Sequence, residues 1–285
     1  MTLAHALQQS AHVLAVNGVE DHNTEARMLL GHVIRLSPVQ IYTEPDQILS
    51  HQDEAKLMEL VERRLGHEPA AYILNHKEFY GLNFYVDHRV LIPRPETEIL
   101  IDVALEFAHR RSLSLGSPIL VADIGTGCGA IAISLALNLP GSKVYATDLS
   151  SPALEVARLN CRLHQVKKQV ELLLGDLLGP LPGPADMIVA NLPYIKNSVI
   201  ADLSPEIARF EPRIALDGGE SGLDCIQRLL LQVSPKINTG GRLILEIGQG
   251  QEKDISRLIH SILNKADFTF VKDLNGINRA VTIDF

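Results

Sequence analysis

Residues 119–130 read ILVADIGTGCGA, an apolar run that ends in a glycine-rich turn. The run 119–124 predicts a buried strand, and the segment 130–139 that follows the turn predicts a helix. Glycines in such a turn let a ligand approach the backbone, close to the amides that are unpaired at the start of a helix. The stretch therefore predicts a strand, a ligand-binding loop and a helix, with a nucleotide-like ligand at the loop.

The same alternation continues to the end of the chain. Further apolar runs predict strands at 143–147, 169–174, 186–190 and 242–247. Amphipathic segments between them predict helices at 152–164, 222–233 and 252–264. The runs 268–271 and 280–285 flank Asn275-Gly276, which predicts two antiparallel neighbours. This pattern is typical of an α/β fold in which a mainly parallel sheet is covered on both faces.

The first part of the chain has a different pattern. Apolar residues recur at helical spacing in the segments that end near Asn17-Gly18, in 24–35 and in 53–65. Aromatic, β-prone residues around Gly81 and Asn83 predict a hairpin. We therefore assign residues 1–75 to a small helical domain, 76–92 to a β-hairpin linker and 93–285 to the α/β domain.

Composition excludes several classes of protein. The net charge is −8, and Lys and Arg form no long run that would neutralise a phosphate backbone, so extended nucleic acid is not expected as a partner. The first basic residue is Arg27, which argues against a signal peptide, and no apolar run approaches the roughly 20 residues that span a bilayer. The three cysteines are far apart in the sequence, so they predict neither a disulfide framework nor a zinc site. None of the 11 histidines are three or four residues apart, so no metal-binding pair on a helix is predicted. We expect a soluble, cytoplasmic protein.

Asp148 ends the second predicted strand, about 20 residues beyond the glycine loop, where a carboxylate can accept hydrogen bonds from ribose hydroxyls. Ser151 before Pro152 is expected to cap the next helix, so Asp148 is not needed as a cap. The loop also fits a relaxed dinucleotide fingerprint, so NAD remains an alternative. Asp123 would attract the ammonium of S-adenosylmethionine, which favours that cofactor, and Asp176 lies where a third loop would reach the adenine.

Residues 191–194 read NLPY and follow the fourth predicted strand. The Asn191 side chain and the Leu192 main chain offer two carbonyl acceptors, which can hold both hydrogens of a planar NH2 group. Pro193 stiffens the loop and adds no N–H donor, and Tyr194 can stack on the planar group. Catalysis would come from positioning, and no general base is assigned. This hook, Asn191 to Tyr194, indicates methylation of an amide or an aromatic amine.

The loop, Asp148 and the hook together resemble the HemK/PrmC family of protein-(glutamine-N5) methyltransferases, and the likeness covers nearly the whole chain. It extends to PRPETE at 93–98, EPR at 211–213, LDGG at 216–219 and Asn278-Arg279. The resemblance implies a Rossmann-like, seven-stranded S-adenosylmethionine-dependent methyltransferase domain. It also implies methylation of the glutamine in the Gly-Gly-Gln motif of class-I peptide chain release factors, which leaves S-adenosylhomocysteine. The helical domain would help to hold that protein substrate.

The resemblance also implies roles for individual residues. The cofactor would be bound by Gly125, Thr126, Gly127, Cys128, Gly129, Asp148, Asp176, Leu177 and Asn191. The glutamine amide would be held by Asn191, Leu192, Pro193 and Tyr194, of which Asn191, Pro193 and Tyr194 are the catalytic assignment. Thr97 and Glu98 are interpreted as the start of a helix. The resemblance also suggests that their segment lines the site, but the two residues are not assigned to it.

The hook differs from the family pattern at Leu192, where the family usually has proline. Asn-Leu-Pro-Tyr is similar to the hook of ribosomal RNA adenine-N6 methyltransferases, so an RNA or DNA adenine-N6 methyltransferase is the main alternative. An NAD-dependent oxidoreductase is the third hypothesis, but it has no use for the hook. The net charge of −8, the helical domain and the segment at Pro93 favour glutamine as the substrate.

Overall fold

A computed structural model describes residues 1–264 and 266–285, in two compact units. One unit is Met1–His76 with Pro205–Phe210, and the other is Lys77–Ser204 with Glu211–Phe285. The helices are α1 (Leu3–Val16), α2 (His22–Ile34), α3 (Pro38–Thr43), α4 (His51–Leu65), α5 (Ala70–Leu74), α6 (Glu98–Leu115), α7 (Ala130–Asn138), α8 (Ser151–Leu163), α9 (Pro205–Phe210), α10 (Asp224–Val233) and α11 (Glu252–Leu263). The strands are β1 (Lys77–Phe79), β2 (Leu82–Phe84), β3 (Leu120–Ile124), β4 (Lys143–Asp148), β5 (Val170–Leu174), β6 (Ala185–Ala190), β7 (Ile237–Glu246), β8 (Asp267–Lys272) and β9 (Asn278–Asp284).

Polar caps start three of the helices in the first unit. The side chains of Thr2 and Ser50 accept hydrogen bonds from backbone amides in the first turns of α1 and α4, and Ser37 forms a capping box with Gln40 at α3. The apolar faces of the helices then pack into one core, which holds buried leucines from α1, α2 and α4. The predicted helical domain is thus present.

Arg64 is the one charged residue on the buried face of α4, and only 3% of it is exposed. Its guanidinium donates hydrogen bonds to Glu25 of α2 and to Glu206 of α9. These contacts tie the short helix α9, which is 142 residues away in sequence, to the core of the first unit.

Replacement of Arg64 by alanine should lower the free energy of unfolding by about 2–3 kcal/mol, because it leaves two carboxylates that are partly shielded from water without a counter-charge. Arg63→Ala is the matched control. Arg63 lies on the same helix as Arg64 and pairs with Glu68, which follows the end of the helix. Because 39% of the Arg63 side chain is exposed, its loss should cost less than about 1 kcal/mol. Urea unfolding of both variants measures the difference, and equal losses would contradict this account of Arg64.

The second unit contains a seven-stranded sheet in the order β5-β4-β3-β6-β7-β9-β8. Strands β3 to β7 are parallel, and β9 is antiparallel to both β7 and β8. The α/β class, the parallel sheet and the antiparallel pair at the end of the chain are therefore confirmed. Since β4 and β6 flank β3 on opposite sides, the strand order reverses there, which is where a crevice opens in such sheets.

The register of the sheet sets the positions of its chemical groups. One row across the four central strands is formed by Ile124, Thr147, Ala190 and Leu245. The next residue of each segment lies at the carboxyl edge: Gly125, Asp148, Asn191 and Glu246. The parallel register thus brings the glycine loop, a carboxylate and the hook to one edge.

Three local predictions need correction. The N-cap of α8 is Ser150 and not Ser151, because the extended backbone at Ser150 lets its hydroxyl accept a hydrogen bond from the Ala153 amide. Strand β7 begins at Ile237, five residues before the predicted start, since a register shift lets it pair with β6 from Ala185 onward. The hairpin turns at Tyr80-Gly81, where both residues have positive φ, and Asn83 lies within β2.

Among the residues that the structure describes, no helix has the length and apolar character needed to cross a bilayer.

Candidate active site

A cleft of about 820 Å³ lies at the carboxyl edge of the sheet in the second unit. Its lining brings together eight of the predicted site residues: Gly125, Gly127, Asp148, Asp176, Leu177, Asn191, Leu192 and Pro193. It does not include the other four: Thr126, Cys128, Gly129 and Tyr194. The cleft also has lining residues that the sequence did not indicate, among them Arg89, Leu91 and Ile214.

The glycine loop follows β3 and turns back over the end of β4. The amides of Gly125 and Thr126 both donate to the Thr147 carbonyl, which holds the start of the loop on the sheet. Gly125 has φ of +73°, and a Cβ there would lie 3.2 Å from the Leu192 side chain. Gly127 also has a positive φ, and a Cβ there would have no atom within 4 Å. The loop therefore presents bare backbone to the cleft, as a ligand cradle requires.

Thr126 and Cys128 support the loop from below. The Thr126 hydroxyl donates to Asp123 Oδ2 at 2.6 Å, and the Asn160 side-chain amide donates to the Cys128 carbonyl at 2.8 Å. Asn160 is fully buried on the apolar face of α8 and also bonds the Tyr85 backbone. A polar residue on an otherwise apolar helix face is the sequence signal that could have identified it.

Asp123 is fully buried beneath the loop and is absent from the cleft lining, and its attraction for a ligand ammonium stays a prediction. Its Oδ2 accepts from Thr126 and from the Ala132 amide, whereas Oδ1 has no hydrogen-bond partner in the described structure. Burial raises the pKa of Asp123 to about 7, and the two hydrogen bonds oppose that rise. In this position Asp123 shapes the loop.

Asp148 joins the loop to the next helix. Its Oδ2 accepts from the Gly127 amide and its Oδ1 from the Ser150 amide, each at 2.8 Å. Burial raises the pKa of this carboxyl, and the backbone donors oppose the shift. Each carboxylate oxygen has two lone pairs, so Asp148 can accept further donors from the cleft.

Asp176 and Leu177 form the cleft wall beyond β5. Asp176 pairs with Arg228, and both side chains are about half exposed. Leu177 is buried and has a positive φ of 47°, which is unusual for leucine, and its carbonyl accepts from the Thr147 hydroxyl at 3.0 Å. Leu177 thus offers an apolar surface that is held in place by the sheet.

The hook is held from two sides. Asn191 Nδ2 donates to the Thr97 hydroxyl at 3.1 Å, and the Tyr194 hydroxyl donates to Glu246 Oε1 at 3.2 Å. Behind the hook, Gly218 packs so closely that a Cβ would lie 2.8 Å from the Pro193 carbonyl. Because Tyr194 is directed to Glu246 and is absent from the cleft lining, its stacking on a planar substrate stays a prediction.

Thr97 and Glu246 are functional candidates that the site predicted from the sequence does not include. Thr97 is the N-cap residue of α6, but its side chain makes no capping bond and donates instead to Glu246 Oε2 at 2.6 Å. Burial raises the pKa of Glu246 to about 7, while the hydroxyls of Thr97 and Tyr194 lower it. The two residues are 149 positions apart, so local sequence carries no signal for this contact.

The raised pKa of Glu246 predicts a pH dependence of stability. Folding favours the protonated carboxyl, so the stability it contributes is present at low pH and is lost as pH rises from about 4.5 through about 7. Between about pH 5 and about pH 8, the free energy of unfolding measured in urea should fall by about 2–3 kcal/mol more for the wild type than for Glu246→Gln. The pKa of Asp123 is also raised to about 7, but this carboxyl is present in both proteins, so its effect cancels in the comparison. Parallel pH curves for the two proteins would contradict the prediction.

No cluster of three or more His, Cys, Asp or Glu side chains that could hold a metal occurs in the described part of the chain.

The sheet order and the contents of the cleft define a methyltransferase of the Rossmann-like class. Solved structures agree: a methyltransferase from Pyrococcus furiosus (TM-score 0.54, 20% identity, 78% of this chain and 95% of that one) and the hMettl16 catalytic domain in complex with the MAT2A 3′UTR hairpin 6 (TM-score 0.57, 15% identity, 83% and 82%). At these identities the two structures show the fold alone. Residues 5–74 match the family model of the PrmC N-terminal domain, and 106–216 match that of ribosomal protein L11 methyltransferase (PrmA).

Full-length relatives give the family. Proteins named release factor glutamine methyltransferase are 40% identical in Moorella thermoacetica, over 93% of both chains, and 38% identical in Koribacter versatilis, over 99% of this chain and 98% of the relative. A third, from Bradyrhizobium diazoefficiens, is 37% identical over 93% of this chain and 88% of its own. The chain belongs to the release factor glutamine methyltransferase family.

Proposed function

We propose that this protein transfers a methyl group from S-adenosylmethionine to the side-chain nitrogen N5 of the glutamine in the Gly-Gly-Gln motif of a class-I peptide chain release factor. The observation that carries the proposal is the presence of the Asn191 hook and the glycine loop in one cleft. The products are the methylated glutamine, S-adenosylhomocysteine and the proton that the nitrogen loses when it gains the methyl group. The helical unit, residues 1–75 in the domain assignment, would take part in holding the release factor.

The residues of the cleft fit this cofactor. The bare backbone at Gly125 and Gly127 can accommodate its methionine part, because neither glycine carries a side chain and the space beside Gly127 is open. Asp148 has lone pairs for the ribose hydroxyls, and Leu177 offers an apolar wall for the adenine, next to Asp176. When bound, S-adenosylmethionine supplies an electrophilic methyl group on a sulfonium.

The hook would hold the amide that accepts the methyl group. An amide nitrogen is a weak nucleophile because its lone pair is delocalised into the carbonyl. The Asn191 Oδ1 and the Leu192 carbonyl can accept its two hydrogens, so that the nitrogen is held in one orientation and the positive charge that develops on it is stabilised. Pro193 lacks an N–H and adds no competing donor.

The leucine at position 192 is compatible with this role. Its side chain is 4% exposed and packs in the core below Gly125, whereas the acceptor required by the mechanism is its main-chain carbonyl. The side chain can therefore differ from the usual proline without loss of the acceptor.

The proposed function is tested by incubation with labelled S-adenosylmethionine and a purified class-I release factor, followed by mass-spectrometric location of the methyl group. A release factor with alanine in place of the Gly-Gly-Gln glutamine is the matched control, and ribosomal RNA is the competing substrate. We expect label on the glutamine and none on the control. Label on adenine alone would replace the proposal with adenine-N6 methylation.

A further inference from the structure

We propose that Thr97 and Glu246 are positioning residues that fix the direction of the Asn191 amide and thereby make the hook select an amide over a carboxylate. The inference rests on the proposed function and adds to it a source of substrate selectivity. Neither residue is part of the cleft lining, so both would act through Asn191, which is part of it.

The geometry of three side chains carries the argument. A threonine hydroxyl has a single hydrogen, and that of Thr97 is donated to Glu246 Oε2 at 2.6 Å. The Thr97 oxygen can then only accept from Asn191, whose Nδ2 lies 3.1 Å away. The amide group of Asn191 is thus oriented with its NH2 toward Thr97. Its Oδ1 accepts no hydrogen bond from the residues that the structure describes and remains available as an acceptor.

The network is rigid because it joins three separate elements and is buried. Thr97 precedes α6, Asn191 follows β6 and Glu246 ends β7, and the exposed fractions of Thr97 and Glu246 are 4% and 3%. The second carboxyl oxygen of Glu246 accepts from Tyr194, so both oxygens have a hydroxyl donor. Arg279 and Glu96 are the charged residues that act on this carboxyl, with opposite signs. An interior carboxylate with two donors is a strong acceptor, which keeps the Thr97 hydrogen in place.

Loss of this constraint has a specific chemical consequence. The oxygen and nitrogen of an asparagine amide have nearly the same shape, so without Thr97 the group can turn over at little steric cost. Asn191 would then present NH2 donors to the substrate. A glutamine substrate needs an acceptor for its N–H, whereas a glutamate in its place carries only acceptors and would be favoured by the reversed amide.

The test compares Thr97→Val with Thr97→Ser, at a pH well above the value of about 7 that burial gives the pKa of Glu246. It measures kcat, the KM for the release factor, and inhibition by a release factor with glutamate in place of the glutamine. For Thr97→Val we expect kcat to fall roughly 10–100-fold with KM within about 2-fold. The preference for glutamine over glutamate should fall about 10-fold. Thr97→Ser keeps the hydroxyl and should restore both.

Thr282→Val is the control, since it removes a buried hydroxyl from β9 that, among the described residues, makes only a weak hydrogen bond of 3.4 Å to the Thr269 carbonyl. It should behave as the wild type. Glu246→Leu provides a second variant in case Thr97→Val folds poorly, because it removes both oxygens that can accept the Thr97 hydrogen. It should shift the glutamine-to-glutamate preference in the same direction.

Selectivity that stays unchanged in both Thr97→Val and Glu246→Leu, whatever happens to kcat, would overturn the inference and leave the proposed function standing. A wild type that methylates no release factor would overturn both.

Discussion

Asn191→Ala should lower kcat for release-factor methylation by roughly 10²–10³-fold at saturating cofactor, with little change in release-factor affinity. The substitution removes the Oδ1 acceptor and leaves the Leu192 carbonyl to hold the amide alone. An amide bound by one acceptor can rotate, so the fraction of complexes with the nitrogen aligned to the methyl group falls. The rest of the contact with a large protein substrate is unchanged. Single-turnover kinetics and equilibrium binding of the same release factor separate the two effects.

Asn138→Ala is the matched control for this experiment. Asn138 lies at the end of α7 and donates to the Ser134 carbonyl at 2.8 Å, so its loss removes an asparagine hydrogen bond of similar length outside the cleft. We expect turnover close to wild type. The assignment of Asn191 would be wrong if Asn191→Ala kept near-normal turnover, or if affinity and turnover fell by the same factor.

The sheet and the cleft edge could be predicted because their signals are local. The run from Ile119 to Ile124 and the later apolar runs alternate with amphipathic segments, and that alternation depends only on neighbouring residues. Once the strands are parallel, the groups that follow β3, β4 and β6 must meet at one edge. The grouping of Gly125, Asp148 and Asn191 in one cleft follows from this rule.

Contacts between distant residues were beyond local reasoning. Thr97 was interpreted as the start of a helix and was left out of the predicted site, since its partner Glu246 is reached through the register of β6 with β7. Arg64 follows the helical spacing of an apolar face, and its charge is accommodated only because Glu25 and Glu206 fold against it. Both cases depend on pairings that no periodicity within a segment encodes.

The position of Asp123 shows a second kind of limit. Its place near the end of β3 was predicted, whereas its hydrogen-bond partners beneath the loop were not. The Thr126 hydroxyl and the Ala132 amide draw the carboxyl under the loop. Side-chain direction at a strand end is decided by the donors nearby, and these are known only when the loop conformation is known.

Asp148→Ala should raise the dissociation constant for S-adenosylhomocysteine by roughly 100-fold, as measured by calorimetry. Two contributions are expected. The substitution removes a carboxylate that can accept charge-assisted hydrogen bonds from the ribose hydroxyls, and it also releases the Gly127 amide that Oδ2 now holds at 2.8 Å. The first effect is a ligand contact and the second is a looser loop, so affinity alone does not separate them.

A thermodynamic cycle, in which two proteins are each measured with two ligands, separates the two contributions. An analogue that lacks both ribose hydroxyls should bind the wild type much more weakly than S-adenosylhomocysteine does, whereas Asp148→Ala should bind the two ligands with similar affinity. Asp254→Ala is the control, because Asp254 is mostly exposed, pairs with Arg257 and does not line the cleft, so its loss should leave the affinity for both ligands unchanged. If the penalty for the missing hydroxyls were the same in wild type and Asp148→Ala, Asp148 would act only through Gly127 and the loop. A coupling of at least 10-fold between the carboxylate and the hydroxyls would instead establish the direct contact, since a loosened loop weakens both ligands by the same factor.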